Sequence, residues 1–129
     1  NAVIDFEANQ YFSGTFSDKV SALGNTGAAA PIDLSTGNVF TATLTGNCTF
    51  TLATANGVSN RASSFTLILT NDATPSRTVA WAGGSFKFPG GAGSLSRSTG
   101  ANDIDVWVFF TPDGGTTYYG SIPMKDMTA

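Results

Sequence analysis

Apolar side chains return at every second position in several stretches of this chain, a period that suits a pleated strand and not an amphipathic helix. In Phe65-Thr66-Leu67-Ile68-Leu69-Thr70, one face carries Phe65, Leu67 and Leu69. In Asp103-Ile104-Asp105-Val106-Trp107-Val108-Phe109-Phe110, one face carries Ile104, Val106, Val108 and Phe110, and the other Asp103, Asp105, Trp107 and Phe109. Residues 39–45 set Phe40, Ala42 and Leu44 against a face of threonines, and Cys48, Phe50 and Leu52 alternate with Thr49 and Thr51. Weaker strands are predicted over 77–81, 94–98 and 116–122. Strong helix formers are scarce while Thr, Val, Phe, Gly and Asn are plentiful, which favours strands and tight turns.

Turn chemistry separates these segments. Thr45-Gly46-Asn47 is short enough to close a hairpin, and Pro112-Asp113-Gly114-Gly115 reads as another, with Pro presetting φ and Gly supplying positive φ. Thr74-Pro75-Ser76 and Gly90-Gly91-Ala92-Gly93 mark further reversals. Short strands with turn signals every ten or so residues predict an all-β, antiparallel sandwich of jelly-roll type. No internal repeat of solenoid length is visible.

The chain divides on this reading into an N-terminal segment, 1–27, and a sandwich domain, 28–129. The first segment holds Val3, Ile4, Phe6, Tyr11, Phe12 and Phe16 among Asn, Gln, Ser and Gly, and Asn25-Thr26-Gly27-Ala28-Ala29-Ala30-Pro31 links it to the regular pattern. It is either an edge strand of the same sheet or an extended arm that adds to a neighbouring subunit.

Composition narrows the chemistry. With 129 residues, one domain is the default, and 41% hydrophobic residues argue against disorder. No apolar run nears the roughly 20 residues of a membrane span. A net charge of −3 with six scattered Lys and Arg argues against nucleic acid. The chain has no histidine, so it lacks the usual proton shuttle near neutrality and the usual transition-metal ligand. One glutamate and three lysines leave few substitutes, and no enzymatic role, cofactor or metal is expected. No signal-peptide pattern opens the sequence, and an initial Asn1 points to trimming, a fragment or a numbering choice.

Each remaining candidate has a plain alternative. Asp103 and Asp105, two apart on one face, suit a hard cation, joined by Asp72 or Asp113, or a pair of acids; a solvent-facing strip is the simpler reading. Trp81, Trp107, Tyr118 and Tyr119 suit a stacking platform for sugar rings, against ordinary packing in a core or interface. Trp107 and Phe109, on the face taken as polar, make that strand either doubly covered or part of an interface. Cys48 is in phase with Phe50 and Leu52 and reads as a small buried hydrophobe, a free thiol suited to a reducing cytosol. Asn47-Cys48-Thr49 matches a glycosylation sequon, a pattern short enough to occur by chance. Gly83-Gly84 and Gly90-Gly91 lack the Lys of a phosphate loop and read as turns.

Taken in order, several segments resemble virion proteins of tailed bacteriophages, many of them marine or cyanobacterial. They are Asp33-Leu34-Ser35-Thr36-Gly37-Asn38-Val39-Phe40, Thr43-Leu44-Thr45-Gly46-Asn47, Phe65-Thr66-Leu67-Ile68-Leu69-Thr70-Asn71-Asp72, and Ser76-Arg77-Thr78-Val79-Ala80-Trp81. Leu95-Ser96, Asp105-Val106-Trp107-Val108-Phe109-Phe110 and Asp113-Gly114-Gly115-Thr116-Thr117-Tyr118-Tyr119-Gly120 continue the series, with a looser echo at Ala8-Asn9-Gln10-Tyr11-Phe12. The resemblance spans roughly 33–120. It implies a β-rich, non-enzymatic module of capsid decoration or fibre proteins, commonly a homotrimer, with no catalytic residues to transfer. Fibres are long and this chain is short, which favours a small decoration protein.

The expectation is therefore a capsid decoration (cement) protein, made in the host bacterial cytoplasm and placed on the virion surface. Its partner is the major capsid protein at capsomer junctions, with contacts through Val3, Ile4, Phe6, Tyr11, Phe12, Phe16, Trp107 and Phe109. Three-fold symmetry would make weak contacts avid. The alternative is a head- or tail-fibre module that binds host-surface carbohydrate.

Overall fold

The strand predicted at 65–70 lies inside a six-stranded sheet, in a computed structural model that describes residues 6–53 and 60–129. Among the described residues, nine strands follow in chain order: β1 Val20–Asn25, β2 Ala29–Asp33, β3 Val39–Leu44, β4 Cys48–Ala53, β5 Ser63–Asn71, β6 Val79–Ala82, β7 Ser85–Lys87, β8 Ile104–Thr111 and β9 Thr117–Met124. The larger sheet runs β1-β3-β5-β8-β9-β7 and the smaller β2-β4-β6. The molecule is all-β, but its sheets are mixed, which corrects the antiparallel expectation. β1, β3 and β5 are parallel, as are β2, β4 and β6 and the pair β7-β9, and among the described residues antiparallel pairing is confined to β5-β8 and β8-β9.

The chain alternates between sheets from β1 to β6, so each pair of strands forms one rung of a stack. Val20 pairs with Val39 and Ala29 with Thr49, partners 19 and 20 residues apart. Val39 then pairs with Thr66 and Cys48 with Val79, 27 and 31 residues apart. A backbone repeat therefore exists where no sequence repeat was visible. Rung length varies, and the side chains filling equivalent places differ: Ala30, Phe50 and Trp81 are neighbours across the smaller sheet.

Thr45-Gly46-Asn47 consequently closes no hairpin. It carries the chain from β3 in one sheet to β4 in the other, so the two apolar faces oppose each other across the core. The rung before it turns at the equivalent place, Thr26-Gly27-Ala28, and the two turns hold each other. Gly27 N–H donates to Thr45 Oγ1 at 3.0 Å, and Thr45 N–H donates to Thr26 Oγ1 at 3.3 Å. A Cβ on Gly46 would stand 2.8 Å from the Gly27 carbonyl oxygen, which explains glycine there.

The antiparallel hairpin predicted at Pro112 does form, between β8 and β9. Asp113 organises it: Oδ1 accepts Thr117 N–H at 2.8 Å, Thr116 N–H at 3.1 Å and the Thr111 hydroxyl at 3.0 Å. These bonds, Thr117 N–H foremost, hold the Asp113 carboxyl below its ordinary 3.8. A lowered folded pKa gives stability that is complete above the ordinary value and drains as pH falls through the folded one. Asp113→Asn should therefore melt earlier than wild type near neutrality, with the gap closing between about pH 5 and pH 2. Melting curves across that range check it, and a gap independent of pH would refute it.

Both sheets contribute to one core. Ile32, Phe50 and Leu52 of the smaller sheet join Phe40, Leu44, Phe65, Leu67, Leu69, Trp107, Phe109 and Tyr118 of the larger. Trp81 stacks on Phe50 at 5.1 Å and lies 4.5 Å from Phe109 and 5.4 Å from Trp107, ring centre to ring centre. Cys48 is buried and its thiol is pushed up by that burial, as its phase with Phe50 predicted. Two sequence expectations fail here. Residues 29–33 form a strand, not a link, and residues 94–98 form none: a single 3-10 turn covers Ala92–Ser94.

Candidate interaction surfaces

The alternation in β8 was read correctly, but its inner and outer faces were exchanged. Trp107 and Phe109 are each 2% exposed and Asp105 is 3% exposed, so the face taken as polar is the core face. The physical reason is that Asp105 finds donors inside. Its Oδ2 accepts Ser98 N–H at 2.7 Å and its Oδ1 accepts Asp126 N–H at 3.0 Å. Phe110 is 43% exposed on the opposite face, with Ile104, Val106 and Val108 half-buried.

The acidic residues are consequently spoken for. Asp103 Oδ2 accepts Gly100 N–H at 2.6 Å. Asp72 pairs with Arg77 through two bonds, at 2.9 and 2.7 Å, which lower the Asp72 pKa and raise that of Arg77. Beside them Arg97 donates to Asn71 Oδ1 at 3.0 Å and to the carbonyls of Ser98 and Arg77. Burial lowers the Arg97 pKa, and the charges of Asp105 and Asp103 oppose that shift. Among the described residues no three of His, Cys, Asp and Glu gather as metal ligands. The cluster is a polar pin that fixes the 97–103 loop to the ends of β5 and β8.

Aromatic side chains named from sequence separate into core and surface. Trp107 and Tyr118 are buried, Trp81 is half-buried, and Tyr119 is 51% exposed, so these four form no common platform. On the outer face of the larger sheet, Tyr119 instead lies beside Phe110, ring centres 6.0 Å apart. These two, with Val108, Thr66 and Ser64, line a shallow groove of about 370 Å³. Phe110 was missed as a surface residue because the aspartates on the other face made that face look polar.

A second groove, about 480 Å³, runs beside β6, lined by Val79, Trp81, Phe86, Phe88, Leu95 and Trp107 among others. The indole N–H groups of Trp81 and Trp107 are buried without an acceptor. Phe86 and Phe88, which the sequence reading passed over, sit in a strand of only three residues and just after it, too short for a periodic signal.

Val3 and Ile4 lie outside the described residues. Residues 6–19 contain no strand and are exposed throughout, with Phe6 at 55%, Tyr11 at 92%, Phe12 at 56% and Phe16 at 77%. Phe12 touches only its own segment in these ring contacts, 6.3 Å from Phe6 and 5.1 Å from Phe16. Val20–Asn25, by contrast, is an edge strand on β3. The segment 1–27 thus contains both an edge strand and an exposed aromatic stretch.

Comparison with known proteins finds no matching family model, curated protein or solved structure.

Proposed function

We propose that this protein is an adhesive structural component of a tailed-bacteriophage virion, a decoration protein that cements the capsid from outside. The observation that carries the reading is the aromatic stretch 6–16, exposed next to a body whose buried core includes none of it. Large apolar side chains left in water mark a contact surface. The two sheets around one core are best described as a β-sandwich of stacked parallel rungs with an antiparallel extension. Such a body is stiff, and the side chains that would serve catalysis are tied up as turn and loop supports. Three copies arranged around a local three-fold axis would multiply weak arm contacts into avid binding to the major capsid protein. Preferential binding to the assembled shell would then stabilise it by mass action.

Deleting residues 1–16 should leave the body folded, with unchanged far-UV circular dichroism, and abolish binding to purified heads in co-sedimentation. A truncated protein that still saturates heads would remove the arm from this account. The exposed Phe110–Tyr119 pair supports a second reading, a fibre module that stacks on host-surface sugars. Glycan-array binding lost in Tyr119→Ala, without affinity for heads, would select that reading.

A further inference from the structure

The smaller sheet ends at β6, and among the described residues no strand lies beyond it. Cys48 N–H donates to the Thr78 carbonyl, so Thr78 and Ala80 turn their peptide groups towards β4, and Val79 and Trp81 turn theirs to the open side. The opposite edge is blunted. Thr49 N–H donates to the Ala28 carbonyl, which leaves Pro31, lacking an N–H, on the outer side of β2. No proline blunts β6, and the 480 Å³ groove with its aromatic wall lies where the next strand's inward side chains would go. An edge of peptide groups beside an apolar groove is the arrangement that receives an extended segment as an added strand.

The chain also holds a strand pattern without a sheet. Along residues 6–17, Phe6, Ala8, Gln10, Phe12, Gly14 and Phe16 alternate with Glu7, Asn9, Tyr11, Ser13, Thr15 and Ser17. That is a mainly apolar face against a mainly polar one, in residues that are all exposed and unpaired into strands. We propose that residues 12–16 of a second copy add to the β6 edge as a fourth strand of the smaller sheet, seating Phe12 and Phe16 in the groove. This rests on the reading of the protein as an adhesive component, with Phe12 and Phe16 joining copies and Phe6 and Tyr11 left for the capsid. Its own copy's arm does not reach. The place beyond β6 is three strand spacings from β1 and in the other sheet, about 17 Å away, whereas the four residues from Phe16 to Val20 span at most about 14 Å.

The test uses the full chain carrying a photoreactive p-benzoylphenylalanine in place of Phe12, with light- and heavy-nitrogen chains mixed in equal amounts and refolded together. After irradiation and trypsin, position 12 should be joined to Thr78–Lys87 or Phe88–Arg97, in pairs of mixed isotope. Sedimentation should show self-association that weakens roughly tenfold or more in Phe12→Ser/Phe16→Ser. It should weaken similarly in Val79→Pro, which removes an outward donor and spares the β4 ladder. Same-isotope crosslinks only, crosslinks to other peptides, or association indifferent to these variants would overturn the proposal. Head binding is assayed separately. If it persists while the crosslink fails, this inference falls and the decoration reading stands; if the crosslink forms but heads are not bound, the reverse holds.

Discussion

Replacing Phe109 with alanine should lower the unfolding free energy by about 3–5 kcal/mol, the usual cost of emptying a large aromatic site in a core. Phe109 is 2% exposed and is the ring around which the others gather. It stacks on Phe65 at 4.8 Å, and lies 4.5 Å from Trp81, 6.2 Å from Trp107, and about as far from Phe86 and Phe88. A domain of this size has about 5–15 kcal/mol in total, so the loss takes a large share of it. Phe110→Ala, one residue away on the outer face, should cost about 1 kcal/mol or less. Urea titrations of the two variants compare the faces directly. If the two losses are equal, or the order is reversed, the inward face of β8 has been misassigned.

Asp105→Ala is the second large effect, expected at about 2–4 kcal/mol, and it arises from charge and hydrogen bonding in place of volume. The change strands the N–H groups of Ser98 and Asp126 and takes a counter-charge from the partly buried Arg97. Asp105→Asn keeps one of the two acceptors but turns an NH2 towards the other N–H, so it should lose less than Asp105→Ala and still be clearly destabilised. Asp103→Asn should cost less than either, because Asp103 is half-exposed and supports one N–H of a surface loop. Equilibrium unfolding of the three variants gives the ranking. If Asp103→Asn proved the most damaging, the polar pin would be centred elsewhere.

The same pair of aspartates shows what a sequence conceals. Two carboxylates on one face of a strand read as a solvated edge or a chelating pair. Nothing local announces that Ser98, seven residues back, and Asp126, 21 residues on, turn their N–H groups towards Asp105. Once those donors are present, the aspartate is cheaper to bury than Phe109 and Trp107 are to expose. The hairpin prediction at Thr45-Gly46-Asn47 failed for a related reason. Local turn chemistry specifies a reversal, but whether the two strands then lie side by side or face to face depends on what each finds to pair with. Here β3 finds β1 and β5, and β4 finds β2 and β6.

Where the period of two is strong, local sequence determined the outcome. β3, β4 and β5 are strands because apolar residues alternate there with threonines or Ile68, β8 because β-branched and aromatic residues crowd both its faces, and the Pro112-Asp113-Gly114-Gly115 turn closes on its own carboxylate. For the aromatics at 6, 11, 12 and 16 the local pattern leaves an edge strand and an arm equally open, and their exposure is a finding of the structure. Tertiary structure alone decided the parallel stacking, the inward side of β8, the absence of a strand at 94–98 and the open edge at β6. Those depend on donors, partners and space supplied by residues far along the chain, and an alternating pattern is unchanged when its two faces are exchanged.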